Sequence, residues 1–168
     1  MNTNMRKWYW GAFIVCLAMM GAALYFQFIK HLEPCPLCIF QRIVVIAFGL
    51  IFLLAALHNP KGFGRRVYGL LGTITAGVGI GIAARHLWLQ HLPEDQRPEC
   101  GAGLDYMLDV MPLDKVIHEV FTGSGECGEV VWRFLGLSIP GWTLIAFIGF
   151  LLFGLWVLFG KSQRPGRY

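Results

Sequence analysis

Four apolar runs, at 8–29, 39–57, 67–87 and 139–159, dominate the chain. Each reaches the roughly 20 residues needed to cross a bilayer. Inside lipid every backbone N–H and C=O must be bonded within its own segment, so runs of this kind become helices. With 56% hydrophobic and 14% charged residues among 168, and a mean hydropathy of +0.57, a soluble domain is excluded. Trp8, Tyr9 and Trp10 sit at one end of the first run, and Trp142 and Trp156 flank the fourth, as an interfacial aromatic belt requires. Arg6 and Lys7 precede the first run as they would a secretory leader. That run is too long for a leader's apolar core and three more follow, so it reads as an uncleaved span. The expected fold is all-α: one membrane domain over 1–168, a four-helix bundle with a long outer loop at about 93–138.

Basic residues set the expected orientation. Arg6 and Lys7, then Lys61, Arg65 and Arg66 between spans two and three, then Lys161, Arg164 and Arg167 after span four meet no acidic residue. The ten acidic residues fall elsewhere, mostly in 93–138. The positive-inside rule then places both termini and the short turn in the cytoplasm and the long loop outside. The net charge of +4 follows from this topology and does not point to nucleic acid.

That topology puts four of the five cysteines outside: Cys35 and Cys38 at the outer end of span two, Cys100 and Cys127 in the loop. The outward side of a bacterial plasma membrane is oxidising, so disulfides persist there. Cys35–Cys38 with Cys100–Cys127 is a natural connectivity there, one of the three that four cysteines permit, and the sequence excludes neither of the others. In EPCPLCIFQR, Pro36 suits the first helical position, making Cys35 the cap residue and Cys38 the third residue of the first turn. The positive end of the helix and Arg42, one turn beyond Cys38, both favour a Cys38 thiolate. The bland alternative is a structural staple with Arg42 reaching to the headgroups. Structural zinc fits less well, because it favours two close-spaced pairs and the second pair here is separated by 26 residues. A soluble thioredoxin-type site needs a βαβ pattern, which is absent.

In the loop, Leu113, Val116, Ile117, Val120 and Phe121 form one apolar face, predicting a short amphipathic helix over 113–121 on the outer membrane surface. Gly123, Ser124 and Gly125 make a hinge before Cys127. The alternative is that Cys100–Cys127 only closes the loop, worth about 3–4 kcal/mol. In span three, Gly69, Thr73, Gly77 and Gly81 recur every four residues as a predicted helix-packing stripe. Arg85 and His86 follow at about the depth of Cys38 and Arg42, where ionisable residues are functional candidates. Cys16 reads as a small packing residue.

An outward CPLCIFQR, a loop pair running from PECGAG to SGECGE, a PLDK helix start and LGLSIPGW before span four together resemble the DsbB family of bacterial disulfide bond formation proteins. The resemblance covers nearly the whole chain. It implies an inner-membrane thiol:quinone oxidoreductase whose partner is a thioredoxin-fold DsbA-type periplasmic oxidase. Reduced partner would attack Cys100 of a Cys100–Cys127 bridge, Cys127 would attack Cys35, and Cys38 would face a bound quinone, ubiquinone ahead of menaquinone. Arg42 would hold and polarise the quinone oxygen and His86 would line the site, while Arg85 is a candidate on depth alone. The known DsbA potential of about −120 mV lies roughly 8 kcal/mol, for two electrons, from structural disulfides below about −300 mV. A relay of this kind therefore needs an unusually oxidising CxxC and a strong lipid-soluble acceptor.

Vitamin K epoxide reductase relatives place the loop pair before the CxxC, the reverse of the order here. A soft-metal transporter needs inner-side cysteines, and the cytoplasmic segments contain none. A structural subunit with two staples remains a rival.

Overall fold

The computed structural model describes residues 3–32, 34–93, 109–112, 114–115 and 132–160. Four long helices carry the architecture: α1 (Thr3–Phe28), α2 (Pro36–His58), α3 (Phe63–His91) and α4 (Ile139–Phe159). All four are long and apolar enough to cross a membrane, which gives the expected all-α four-helix membrane bundle. Helix α3 outruns its apolar stretch at both ends, because hydrogen bonding continues through Arg65 and Arg66 and through Gln90 and His91. Its 29 residues span about 43 Å, the bilayer with its headgroups.

In the bundle α1 packs on α2, α2 on α3, and α3 most extensively on α4. The core is aromatic: Phe48 stacks on Phe150 with centroids 4.3 Å apart, and Phe52 meets Phe153 edge-on at 5.0 Å. Ile14, Leu17, Leu50, Ile74 and Leu152 point outward, as lipid-facing positions do. Cys16 is buried with its Cβ at the Gly49 position, a small residue in a tight contact.

The small-residue stripe differs from the expected one. A Cβ on Gly69 would lie 2.6 Å from the Leu158 amide nitrogen, and one on Gly79 would lie 2.6 Å from the Phe147 ring. Gly77 and Gly81 face open space. Four-residue steps advance about 40° beyond each full turn, so a stripe begun at Gly69 has left the α4 face by Gly81. Buried Gly69, Gly72, Ala76, Gly79 and Ala83 alternate steps of three and four and stay on the packed face.

At the end where α3 begins and α4 finishes, buried Arg65 donates to the Gly160 carbonyl, closing the C-terminus of α4 with a cation. At the opposite end a two-residue hairpin, β1 (Arg133–Phe134) with β2 (Leu137–Ser138), leads into α4. Leu135 and Gly136 both take positive φ, 51° and 82°, which matches the twist of so tight a turn. Most of the expected surface helix at 113–121 and all of the 123–125 hinge lie outside the described residues. Within that stretch Asp114 and Lys115 are helical, with Lys115 N–H bonded to the Pro112 carbonyl at 3.0 Å.

Candidate functional site

Cys35 is the N-cap of α2, extended at φ −65° and ψ 161°, and Pro36 opens the helix. The first helical bond runs from Ile39 N–H to the Cys35 carbonyl at 3.2 Å. The Cys35 side chain makes no cap hydrogen bond to the first turn, and the positive end of the helix favours negative charge on sulfur there. Cys35 and Cys38 are not bridged; the Cys35 thiol points at the Cys38 sulfur, with the two Sγ atoms 3.0 Å apart. Closing to a disulfide needs an approach of about 1 Å.

His86 reaches this pair from α3. It is 2% exposed, and its Nε2 stands 3.7 Å from Cys35 Sγ. Its Nδ1 lies 3.2 Å from the side-chain amide of buried Gln41, whose oxygen accepts from Thr143 Oγ1 at 2.6 Å. This chain ties α2, α3 and α4 together behind the sulfurs. Ser138 Oγ donates to Gln90 Oε1 at 2.7 Å, a second tie between the start of α4 and the end of α3. Gln41, His86 and Ser138, three of the four buried polar or charged side chains among the described residues, thus gather at one end of the bundle. Burying an amide or imidazole in lipid is costly unless it is bonded, so their concentration here marks the site.

Arg42 projects toward α1, donating to the Gln27 side-chain oxygen and, at 3.3 Å, to the Ala23 carbonyl. These bonds fix a permanent cation on the wall of a cavity of about 120 Å³. Cys38, Gln41 and Arg42 line it from α2, Met19 and Ala23 from α1, and Thr143 from α4. Cys38 and Arg42 therefore face one space, as their spacing in sequence implies.

Of the residues singled out from sequence, Cys35, Cys38, Arg42 and His86 come together. Arg85 lays its guanidinium over the Trp88 ring at 4.3 Å and is not among the residues lining the cavity. Cys100 and Cys127 lie outside the described residues. Sequence reasoning passed over Gln41, Thr143 and Gln27. The available signal was polarity at lipid depth: Gln41 is an amide inside an apolar run, one turn after Cys38.

The family model described as "Disulfide bond formation protein DsbB" matches residues 5–157. The chain belongs to the DsbB family. A Disulfide bond formation protein B from Nitrosococcus oceani is 54% identical over 167 residues, covering 99% of both chains. One from Hahella chejuensis is 56% identical over 160 residues, covering 95% of each, and one from Marinobacter nauticus is 51% identical over 153. As a DsbB-family protein it is a disulfide-forming oxidoreductase of the inner membrane. A CxxC at a helix N-terminus is a group suited to thiol–disulfide exchange.

Proposed function

We propose that this chain reoxidises a DsbA-type periplasmic oxidase, passing electrons through Cys100–Cys127 and then Cys35–Cys38 to a membrane quinone. The termini would be cytoplasmic and both cysteine pairs periplasmic, an orientation supported by the basic residues at 61–66 and in both tails. The observation that carries the reading is the cavity bordered by Cys38 and Arg42. At about 120 Å³ it is close to the roughly 150 Å³ that accepts one benzene ring, and its wall is largely apolar apart from the Arg42 cation, the Gln41 amide, the Thr143 hydroxyl and the Cys38 thiol. A six-membered dicarbonyl ring fits that description: apolar faces against Met19 and Val45, and a donor for one oxygen from Arg42. When bound, a quinone supplies a two-electron, two-proton acceptor.

The chain's own residues do the rest. The partner's thiolate attacks Cys100, and Cys127 leaves with the bonding electrons as a thiolate. Cys127 then attacks Cys35, and Cys38 leaves as the thiolate. The positive N-terminal end of α2 and the Arg42 cation stabilise that leaving group, which makes the Cys35–Cys38 bond easier to open and so more oxidising. The partner's second thiol frees Cys100, and the partner departs as its disulfide. Cys100 attacks Cys127 of the Cys127–Cys35 bond, restoring the loop bridge and leaving the Cys35–Cys38 dithiol to be oxidised by a bound quinone. His86, held by Gln41 and Thr143, stands within reach of the Cys35 sulfur and hydrogen-bonds it when it is reduced. Arg85, outside the cavity lining and stacked over Trp88, is assigned no step in this relay.

The test is quinone reduction, followed by ultraviolet absorbance, after adding a reduced DsbA-type protein to the purified chain. The wild type turns over, while Cys38→Ser and Cys100→Ser fall to background. Arg42→Met raises the quinone KM about tenfold or more, and Arg42→Lys restores part of it. Turnover in Cys38→Ser would refute the order of the relay.

A further inference from the structure

The sulfurs of Cys35 and Cys38 and a ring nitrogen of His86 lie within 4.8 Å of one another. Sequence spacing argued against zinc by weighing Cys35 and Cys38 against Cys100 and Cys127. Folding supplies a different third ligand, from a helix 51 residues away. A tetrahedral ion with metal–sulfur bonds of about 2.3 Å and a metal–nitrogen bond of about 2.0–2.1 Å spaces its ligand atoms roughly 3.5–3.8 Å apart. The Cys35 sulfur and His86 Nε2, at 3.7 Å, already match. The two sulfurs, at 3.0 Å, need to part by less than about 1 Å, which side-chain rotation at a helix N-cap allows.

The surroundings suit a ligating histidine. Metal-bound imidazole donates its other N–H to an oxygen. With the Gln41 amide turned over, its oxygen accepts from His86 Nδ1–H and its NH₂ donates to Thr143 Oγ1. The Thr143 hydroxyl then keeps its own bond to the Pro140 carbonyl, at 2.9 Å. His86, Gln41 and Thr143 each keep a hydrogen-bond partner in that arrangement, and the Nε2 lone pair faces the sulfurs. Charge points the same way. Two thiolates, one divalent cation and a neutral imidazole sum to zero, which a half-buried site at the membrane edge tolerates better than a dithiolate alone.

We propose that Cys35, Cys38 and His86 form a redox-gated site for a thiophilic divalent cation of the zinc class. Two thiols release their protons to buffer, two metal–sulfur bonds form, and no electron moves. The disulfide form has no thiolate to offer, so the cation selects the dithiol and holds it reduced. The site itself does not depend on the quinone reading; its effect on turnover does.

The test uses the full-length chain in nanodiscs, with Cys100→Ser and Cys127→Ser to remove the loop thiols, reduced and titrated anaerobically with Co²⁺. One Co²⁺ per chain is expected, with thiolate-to-cobalt charge transfer and tetrahedral d–d bands that Zn²⁺ bleaches, and neither signal in the oxidised chain. Gln41→Leu weakens binding about 10- to 100-fold, and His86→Ala abolishes the tetrahedral bands. A second measurement needs no variant at His86: Zn²⁺ should protect Cys35 and Cys38 from alkylation and from oxidation by diamide. Equal binding by oxidised chain, unchanged bands in His86→Ala, or thiols that Zn²⁺ leaves unprotected would each overturn the site.

Discussion

The two ends of this bundle are built from different materials. Around Arg65, helices meet through aromatic rings and absent side chains: Gly69 against the Leu158 backbone, Gly72 against the Phe52 ring, and a single cation on the last carbonyl of α4. Around Cys35, they meet through a hydrogen-bonded series from the sulfur through His86, Gln41 and Thr143, with Ser138 and Gln90 beside it. Close packing does most of the work at the Arg65 end, with the Arg65 bond to Gly160 and a His58–Tyr68 hydrogen bond of 2.6 Å between α2 and α3 beside it. Buried amides and an imidazole at the other end cost desolvation that packing alone does not require. On the proposed reading, the difference separates what keeps the bundle together from what serves its chemistry.

Breaking that division should give graded effects. The largest falls on activity: Cys38→Ser reduces quinone turnover to background while leaving thermal unfolding in detergent close to wild type. A strongly destabilised Cys38→Ser would mean that the pair is a structural staple. Next is packing at the glycine-lined interface. A Cβ on Gly154 would sit 2.8 Å from the Thr73 amide nitrogen, so Gly154→Leu should cost about 3 kcal/mol or more in reversible unfolding. Gly77→Ala, at a position facing open space, should stay within about 0.5 kcal/mol. Equal losses from the two would return the packing stripe to four-residue spacing. Arg65→Met should then cost about 1–2 kcal/mol with turnover unchanged, since its cation serves a helix terminus at the end remote from the cysteines. Smallest in stability, at about 1 kcal/mol, is Thr143→Val, which removes one link behind His86. Unlike Arg65→Met, it should slow turnover several-fold, and no change in rate would detach the polar series from the chemistry.

Much of this was legible beforehand, for identifiable reasons. The spans follow from hydropathy, which lipid imposes directly. The cap at Cys35 follows from Pro36, whose missing N–H suits a first turn. Cys38 and Arg42 share a wall because four residues make about one turn. What distance in sequence hides was less accessible. His86 could be placed at the right depth, but its approach to Cys35 depends on the rotation of α3 about its own axis. That rotation is set by Gly72 and Gly79 against Phe52 and Phe147. The same rotation undid the Gly77 and Gly81 stripe. Arg85, adjacent to His86, points about 100° away around the helix and meets Trp88. The hairpin before α4 is two residues per strand, too short for any periodicity to register.

The central claim is that the Cys35–Cys38 dithiol hands its electrons to a quinone beside Cys38 and Arg42. The most direct measurement removes the partner altogether: chain carrying Cys100→Ser and Cys127→Ser, reduced, freed of reductant and metal, is mixed once with excess quinone. Quinol and free thiols are then counted. One quinol formed per chain, with both thiols lost and a slower rate in Arg42→Met, is the expected result. Thiols that persist beside unreduced quinone would contradict the claim.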